Sequence, residues 1–232
     1  MRHTLGMFAI AAMLLPTTPR PFGGWTVITV RDLPEYLEVG APTKLVFDIR
    51  QHGRTLMNDR SPAVTLKKAG SGLLSRKPRF AAARAQDAGQ YVATVTAEEP
   101  GIVEITIDAD WHGSDVKLVP MRMVARGEKP VPLASHDRGR QLFVAAGCVT
   151  CHAKLDDPQL GDRKAIPVGP VLTGRQFPVE WLAQQIADPA RFRVGTGQEA
   201  LMPQLGLSER DISAVVSYVN YRQQAAAVTV GR

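Results

Sequence analysis

Between residues 25 and 125, apolar and polar positions alternate with a period of two. Leu45, Phe47 and Ile49 interleave with Val46, Asp48 and Arg50. Tyr91, Ala93, Val95 and Ala97 interleave with Val92, Thr94 and Thr96, and Val103, Ile105, Ile107 and Ala109 with Glu104, Thr106 and Asp108. Successive side chains of a strand point to opposite faces, so this pattern predicts strands with one face in a core and one towards water. Leu33-Pro34, Val39-Gly40, His52-Gly53, Ser61-Pro62, Ala88-Gly89 and Pro100-Gly101 supply turns between them. With Trp25–Val30, Pro62–Lys67, Arg79–Ala85 and Val116–Val124, the count reaches about seven strands, as in an immunoglobulin-like sandwich.

The pattern changes beyond residue 125. Residues 126–136 have no period and hold two prolines, a glycine and mixed charges, which predicts a linker. Helical spacing follows. Leu142, Phe143 and Ala146 form one face of a helix that runs to Gly147, with Asp137 as its expected N-cap. Val179–Ala187 carries Trp181, Leu182 and Ile186 and ends at Asp188-Pro189, and Ser208 caps a last helix over Glu209–Tyr221. At the opposite end, Arg2 and His3 precede the apolar run Leu5–Leu15, which Pro16 breaks. A basic start before a short apolar run is the secretory pattern, and the run is too short to span a bilayer comfortably. Thr17, Thr18 and Pro19 stand where small cleavage-site residues are expected. Residues 1–24 are therefore read as a signal peptide or an uncleaved N-terminal anchor that permits peripheral membrane association. The expected units are a β domain over 25–125, the linker 126–136 and a helical domain over 137–232.

Composition narrows the function classes. A chain of 232 residues with 44% hydrophobic and 22% charged content is ordinary for a globular protein, and its length favours two domains. The net charge of +6 is spread along the chain, with no basic run or aromatic-interleaved basic patch, so nucleic acid is not an expected partner. Both of the 2 cysteines lie in Cys148-Val149-Thr150-Cys151-His152. That spacing reads as a c-type haem attachment site: the two thiols can bond to the two vinyl groups of one haem, and the adjacent histidine can ligate its iron. A zinc ribbon would need a second ligand pair, and a redox CxxC would be expected in a βαβ setting.

Four segments carry a resemblance: Asp137-Arg138-Gly139-Arg140-Gln141-Leu142-Phe143, the CxxCH, Gly169-Pro170-Val171-Leu172 and Met202-Pro203. In these, residues 137–225 resemble a class I cytochrome c. The resemblance implies an all-α domain with one covalent haem c on Cys148 and Cys151. It implies His152 and Met202 as axial metal ligands, a pair that raises the iron potential. It gives Pro170 the role of accepting a hydrogen bond from the axial imidazole, which fixes the tautomer. Gly139 and Phe143 would cross the last helix beside Tyr218. Trp181 is assigned to the haem wall, and Arg175 and Arg193 to the haem propionates. With both axial positions closed, no catalytic residue is expected, and the chemistry is outer-sphere electron transfer.

A second resemblance concerns the β domain. Asp87-Ala88-Gly89-Gln90-Tyr91-Val92-Ala93 resembles strand F of immunoglobulin domains, where the tyrosine hydroxyl bonds to upstream backbone, with Ala93 at the disulfide position. Trp25-Thr26-Val27, Gln51-His52-Gly53, Gly89-Gln90-Tyr91 and Pro100-Gly101 also resemble the small exported YtkA-like and FixH-like β domains. The expected protein is a periplasmic or otherwise extracytoplasmic cytochrome whose sandwich docks it to a redox protein or a membrane respiratory complex. Two alternatives remain open. One is a copper-handling accessory protein that uses the cytochrome as reductant, with His52, Met57, His112, Met121 and Met123 as soft or borderline ligand types. Met121 and Met123 share a strand face and are expected to pack. The other is a haem-based ligand sensor or peroxidase-like protein in which Met202 leaves the iron.

Overall fold

The computed structural model describes residues 24–72, 77–85, 87–111, 114–160, 166, 168–192 and 202–222. Residues 1–23 of the expected leader, His112 and Arg193 lie outside the described residues. Among the described residues, eleven strands lie in the first half: β1 (Thr26–Arg31), β2 (Tyr36–Glu38), β3 (Pro42–Gln51), β4 (Thr55–Leu56), β5 (Ala63–Lys68), β6 (Arg79–Ala81), β7 (Ala83–Arg84), β8 (Gln90–Thr96), β9 (Gly101–Asp108), β10 (Asp115–Lys117) and β11 (Met121–Val124). One sheet runs β1-β3-β8-β7, with β4 beside β3. The other runs β2-β11-β9-β5-β6, with β10 beside β9. All pairs are antiparallel except β2 with β11. One sheet curls into a half-barrel.

The strand count exceeds the expected seven for local reasons. Arg79–Ala85 is not one strand. It breaks at Ala82, where the chain leaves β5 in one sheet and joins β8 in the other. Val116–Val124 divides around Pro120, which has no N–H to give a ladder, and both pieces still pair with β9. The alternating segments behave as their pattern predicts. Leu45, Phe47, Ile49, Ala93, Val95, Ile105 and Ile107 are fully buried, and Met121 and Met123 pack beside them. Phe47 and Tyr91 stack at 6.1 Å. The Tyr91 hydroxyl donates to the Met57 carbonyl at 2.8 Å and accepts from the Arg60 amide at 3.0 Å, so it anchors upstream backbone.

Strand β1 departs from alternation. Thr26 through Val30 are all buried, so both faces are covered. Antiparallel partners share a face, and Ile28 and Val30 stand opposite Ile49 and Phe47 in the core between the sheets. Val27, Thr29 and Arg31 therefore point the other way, towards the helical half.

That half contains α1 (Ser135–Ala145), α2 (Cys148–Cys151), α3 (Val179–Ala187) and α4 (Glu209–Asn220). The expected N-cap of α1 is corrected. The N-cap position falls three residues earlier, at Ala134, and Asp137 sits in the first turn, where a carboxylate favours the helix dipole and pairs with Arg140 at 3.2 Å. Ser208 caps α4 as expected, accepting from the Asp211 amide at 3.2 Å. α1 and α4 cross at Gly139. A Cβ there would lie 2.0 Å from the Ala214 carbonyl oxygen and 2.6 Å from Tyr218 Cβ. One turn on, the Phe143 and Tyr218 rings meet at 5.3 Å, tilted by 57°. The backbones approach this closely only because position 139 has no side chain. Gly139→Val is expected to cost about 3 kcal/mol by overpacking the crossing. The measurement is the urea midpoint of the full-length protein, and an unchanged midpoint would show slack that the structure does not contain.

Candidate haem site

The chemistry-bearing residues sit on three segments of the helical half that contribute to one core. α1 ends at Ala145, and Gly147 turns the chain with φ +82°, a conformation that suits glycine, before α2 presents Cys148 and Cys151 one helical turn apart. His152 follows in extended backbone. Burial pushes the Cys148 thiol up to about 12, reinforced by the neighbouring Cys151, and burial also raises Cys151. Both are therefore neutral thiols near neutral pH. Burial lowers His152 below the ordinary imidazole range, more than its backbone hydrogen bond raises it. The ring is thus neutral near pH 7, the form that can ligate a metal.

The second segment aims that ring. His152 Nδ1 lies 2.9 Å from the Pro170 carbonyl. A carbonyl only accepts, so Nδ1 carries the proton and Nε2 keeps its lone pair. Gly169 packs against the ring, and a Cβ there would stand 2.6 Å from Cε1 and 2.7 Å from Nδ1. Backbone bonds from Ile166, Gly169 and Leu172 to Thr150, Cys151 and Ala153 hold the two segments together.

A buried polar cluster pins the chain after His152. Asp157, 8% exposed, accepts from Arg140 Nε at 2.9 Å and from the Tyr218 hydroxyl at 2.8 Å. Arg140 also donates to Gln159 at 2.6 Å. Burial and the Asp157 carboxylate push the Tyr218 hydroxyl far up, so it remains a donor. Lys154, buried beside the Tyr218 ring, pairs with Asp156 at 2.9 Å. Sequence reading missed Arg140, Lys154 and Asp157 as a group, because a charge's pairing partner across the fold leaves no periodic trace.

The third segment carries Met202, half-buried against the same core. Three residues on, Leu205 is buried and its carbonyl accepts from Arg31 Nη1. Arg31 is held in turn by Asp48, 3% exposed, whose Oδ2 also accepts from Arg50 Nη2 at 2.9 Å. The alternation around Ile49 places Asp48 and Arg50 on a solvent face, and the structure buries both. The signal that could have revealed them is the run Val27-Ile28-Thr29-Val30, whose lack of alternation marks a strand covered on two sides.

The remaining candidates lie at the margin. Trp181 is 41% exposed and stacks with Phe177 at 5.7 Å, while Arg175 and Pro170 are exposed. Of the residues weighed for copper, Met57, Met121 and Met123 are core residues, and His52 packs against Trp25 in a turn. Among the described residues, no three His, Cys, Asp or Glu side chains cluster as a metal site, and no helix is long and apolar enough to cross a membrane.

Residues 136–223 match the family model of cytochrome c. The helical half carries a cytochrome c domain. Such a domain implies an electron-transfer haem protein with covalently bound haem c. The donor set fits that group: paired thiols, a neutral imidazole whose free nitrogen is fixed by its partner on the other, and a glycine that gives the ring room. No curated protein matches the chain. Among solved structures, the chain is similar to the ZirS C-terminal domain, at 12% identity over 54% of this chain and 87% of that one, with a TM-score of 0.32. It is also similar to a superoxide reductase (neelaredoxin) from Ignicoccus hospitalis, at 10% identity over 45% and 82%, with a TM-score of 0.27. A third similarity is to a β-glucosidase from Listeria innocua, at 14% identity over 51% and 19%, with a TM-score of 0.29.

Removing parts of the Asp157 cluster should have unequal effects. Asp157→Ala removes the buried carboxylate that Arg140 and the Tyr218 hydroxyl share, leaves Arg140 to Asp137 and Gln159, and is expected to cost about 3 kcal/mol. Tyr218→Phe loses one hydrogen bond and should cost about 1 kcal/mol. Urea denaturation of the two variants reads the difference, and equal costs would mean that Asp137 and Gln159 satisfy Arg140 without Asp157.

Proposed function

We propose that the protein is an exported monohaem c-type cytochrome that passes single electrons between redox partners. The supporting observation is the 2.9 Å approach of His152 Nδ1 to the Pro170 carbonyl, directly after two paired thiols and within the matched segment. In this reading Cys148 and Cys151 would hold the haem by thioether bonds, and His152 Nε2 and the Met202 sulfur would ligate its iron. Bound iron supplies one reversible electron. The chain does the rest. Pro170 fixes the imidazole and raises its basicity. Asp157, Arg140 and Tyr218 lock the loop that follows it, and Met202 offers a soft donor that favours the reduced state. Trp181 would wall the haem and Arg175 would meet a propionate. With His152 and Met202 as its ligands, the haem would be left to outer-sphere electron transfer.

The β half, taken as an immunoglobulin-like domain over 25–125 joined through 126–136, is proposed as a docking module for a redox protein or membrane respiratory complex. Cytochrome c domains are typically extracytoplasmic, and the basic-then-apolar start of the chain supports export.

Expression in a host able to mature cytochromes tests the reading. The denatured protein should carry the mass of one haem, with neither thiol open to alkylation. The native ferrous form should show no spectral change with carbon monoxide. Met202→Ala should bind it and show a lowered midpoint potential. Carbon monoxide binding by the unmodified protein would favour a ligand sensor instead, and stoichiometric copper after the haem is counted would favour the copper-handling alternative.

A further inference from the structure

We propose that Arg31, on the β half, is a positioning residue for the sixth iron ligand, so that the β half holds Met202 on the iron. The proposal rests on the reading of Met202 as that ligand. One face of β1 touches the flanks of both ligand-bearing segments. Val27 Cγ1 would lie 2.5 Å from a Cβ at Gly147, the residue before Cys148. Thr29 Oγ1 donates to the Ala146 carbonyl at 3.3 Å. Arg31 Nη1 donates to the Leu205 carbonyl, three residues beyond Met202. Residues two apart on a strand face lie about 7 Å apart, so β1 sets the spacing between the two flanks as a stiff rule would.

The guanidinium is itself fixed. Its Nε donates to Asp48 Oδ2 at 3.1 Å and its Nη2 donates to the same oxygen, which leaves Nη1 aimed at Leu205. The loop turns tightly around it: Gly206 has φ +65°, and a Cβ there would stand 2.8 Å from Arg31 Nη1. Met202 to Leu205 is three residues, a reach of no more than about 11 Å, so an anchor at Leu205 confines the thioether. Lysine cannot replace this arrangement, because a point donor does not fork between a carboxylate and a carbonyl.

The test is a titration of the full-length ferric holoprotein with imidazole, which competes with the thioether for iron. Arg31→Gln is expected to bind imidazole about tenfold more tightly, as loss of one charge-assisted hydrogen bond predicts, and to weaken the sulfur-to-iron charge-transfer band while the haem stays covalently attached. Gly206→Ala keeps both Arg31 and Asp48 but sets a Cβ against Arg31 Nη1 at a left-handed φ, so it should disturb the Leu205 contact and shift affinity in the same direction, and it carries the test if Arg31→Gln does not fold. In a Met202→Ala background, Arg31→Gln should add nothing. A persistent effect there would mean general loosening and overturns the proposal. Unchanged affinity in both Arg31→Gln and Gly206→Ala, with Met202→Ala still altering it, overturns the role of Arg31 alone. Unchanged affinity in Met202→Ala overturns the ligand assignment beneath it.

Discussion

Strand β1 is covered on both faces, and that double burial joins the two halves of the molecule. Its inner face, Ile28 and Val30, belongs to the core between the sheets, and its outer face, Val27, Thr29 and Arg31, packs on the helical half. A strand in this position cannot slip by one residue without exchanging a β-branched core face for one that carries an arginine. The cost of burying that arginine is met by Asp48, which also pairs with Arg50. Removing Asp48, the member both arginines share, would leave Arg31 and Arg50 without their carboxylate, a loss of about 3–5 kcal/mol. Arg138 extends the junction further along, donating to the Leu33 and Pro34 carbonyls.

Inside the helical half the same logic repeats on a smaller scale. α1 and α4 come close because Gly139 has no side chain, and Phe143 and Tyr218 fill the adjoining space. The Tyr218 hydroxyl then reaches Asp157, and Asp157 holds Arg140 back on α1. The result is a closed circuit of one ring, one carboxylate and one guanidinium that fixes the loop leaving His152. As the proposed iron ligand, the histidine would need that fixity, because the Pro170 carbonyl takes Nδ1 and leaves Nε2 as the free donor.

The haem region was largely legible in the sequence because its information is local. Cys148, Cys151 and His152 lie within five residues, Val179–Ala187 forms the helix its apolar spacing predicts, and Ser208 announces α4. The crossing of Gly139 and Phe143 with Tyr218 was reached through family likeness and has the expected geometry. The β half was legible where alternation is clean, as in β3, β8 and β9, and less so where short strands are made by their neighbours. β2 owes its three residues to parallel pairing with β11, and β6 and β7 part because they serve different sheets. Asp48, Arg50 and Arg31 were hidden for another reason. Periodicity distinguishes a buried face from an exposed one, yet it does not show that the face turned away from one core meets a second surface.

The claim that ties these features together is that His152 and Met202 close both sides of one haem iron and leave it to electron transfer alone. Near-infrared magnetic circular dichroism of the ferric, full-length holoprotein reads the two axial donors directly. A low-spin iron with one imidazole and one thioether is the predicted result. A high-spin iron, or a low-spin iron with two nitrogen donors, would contradict it.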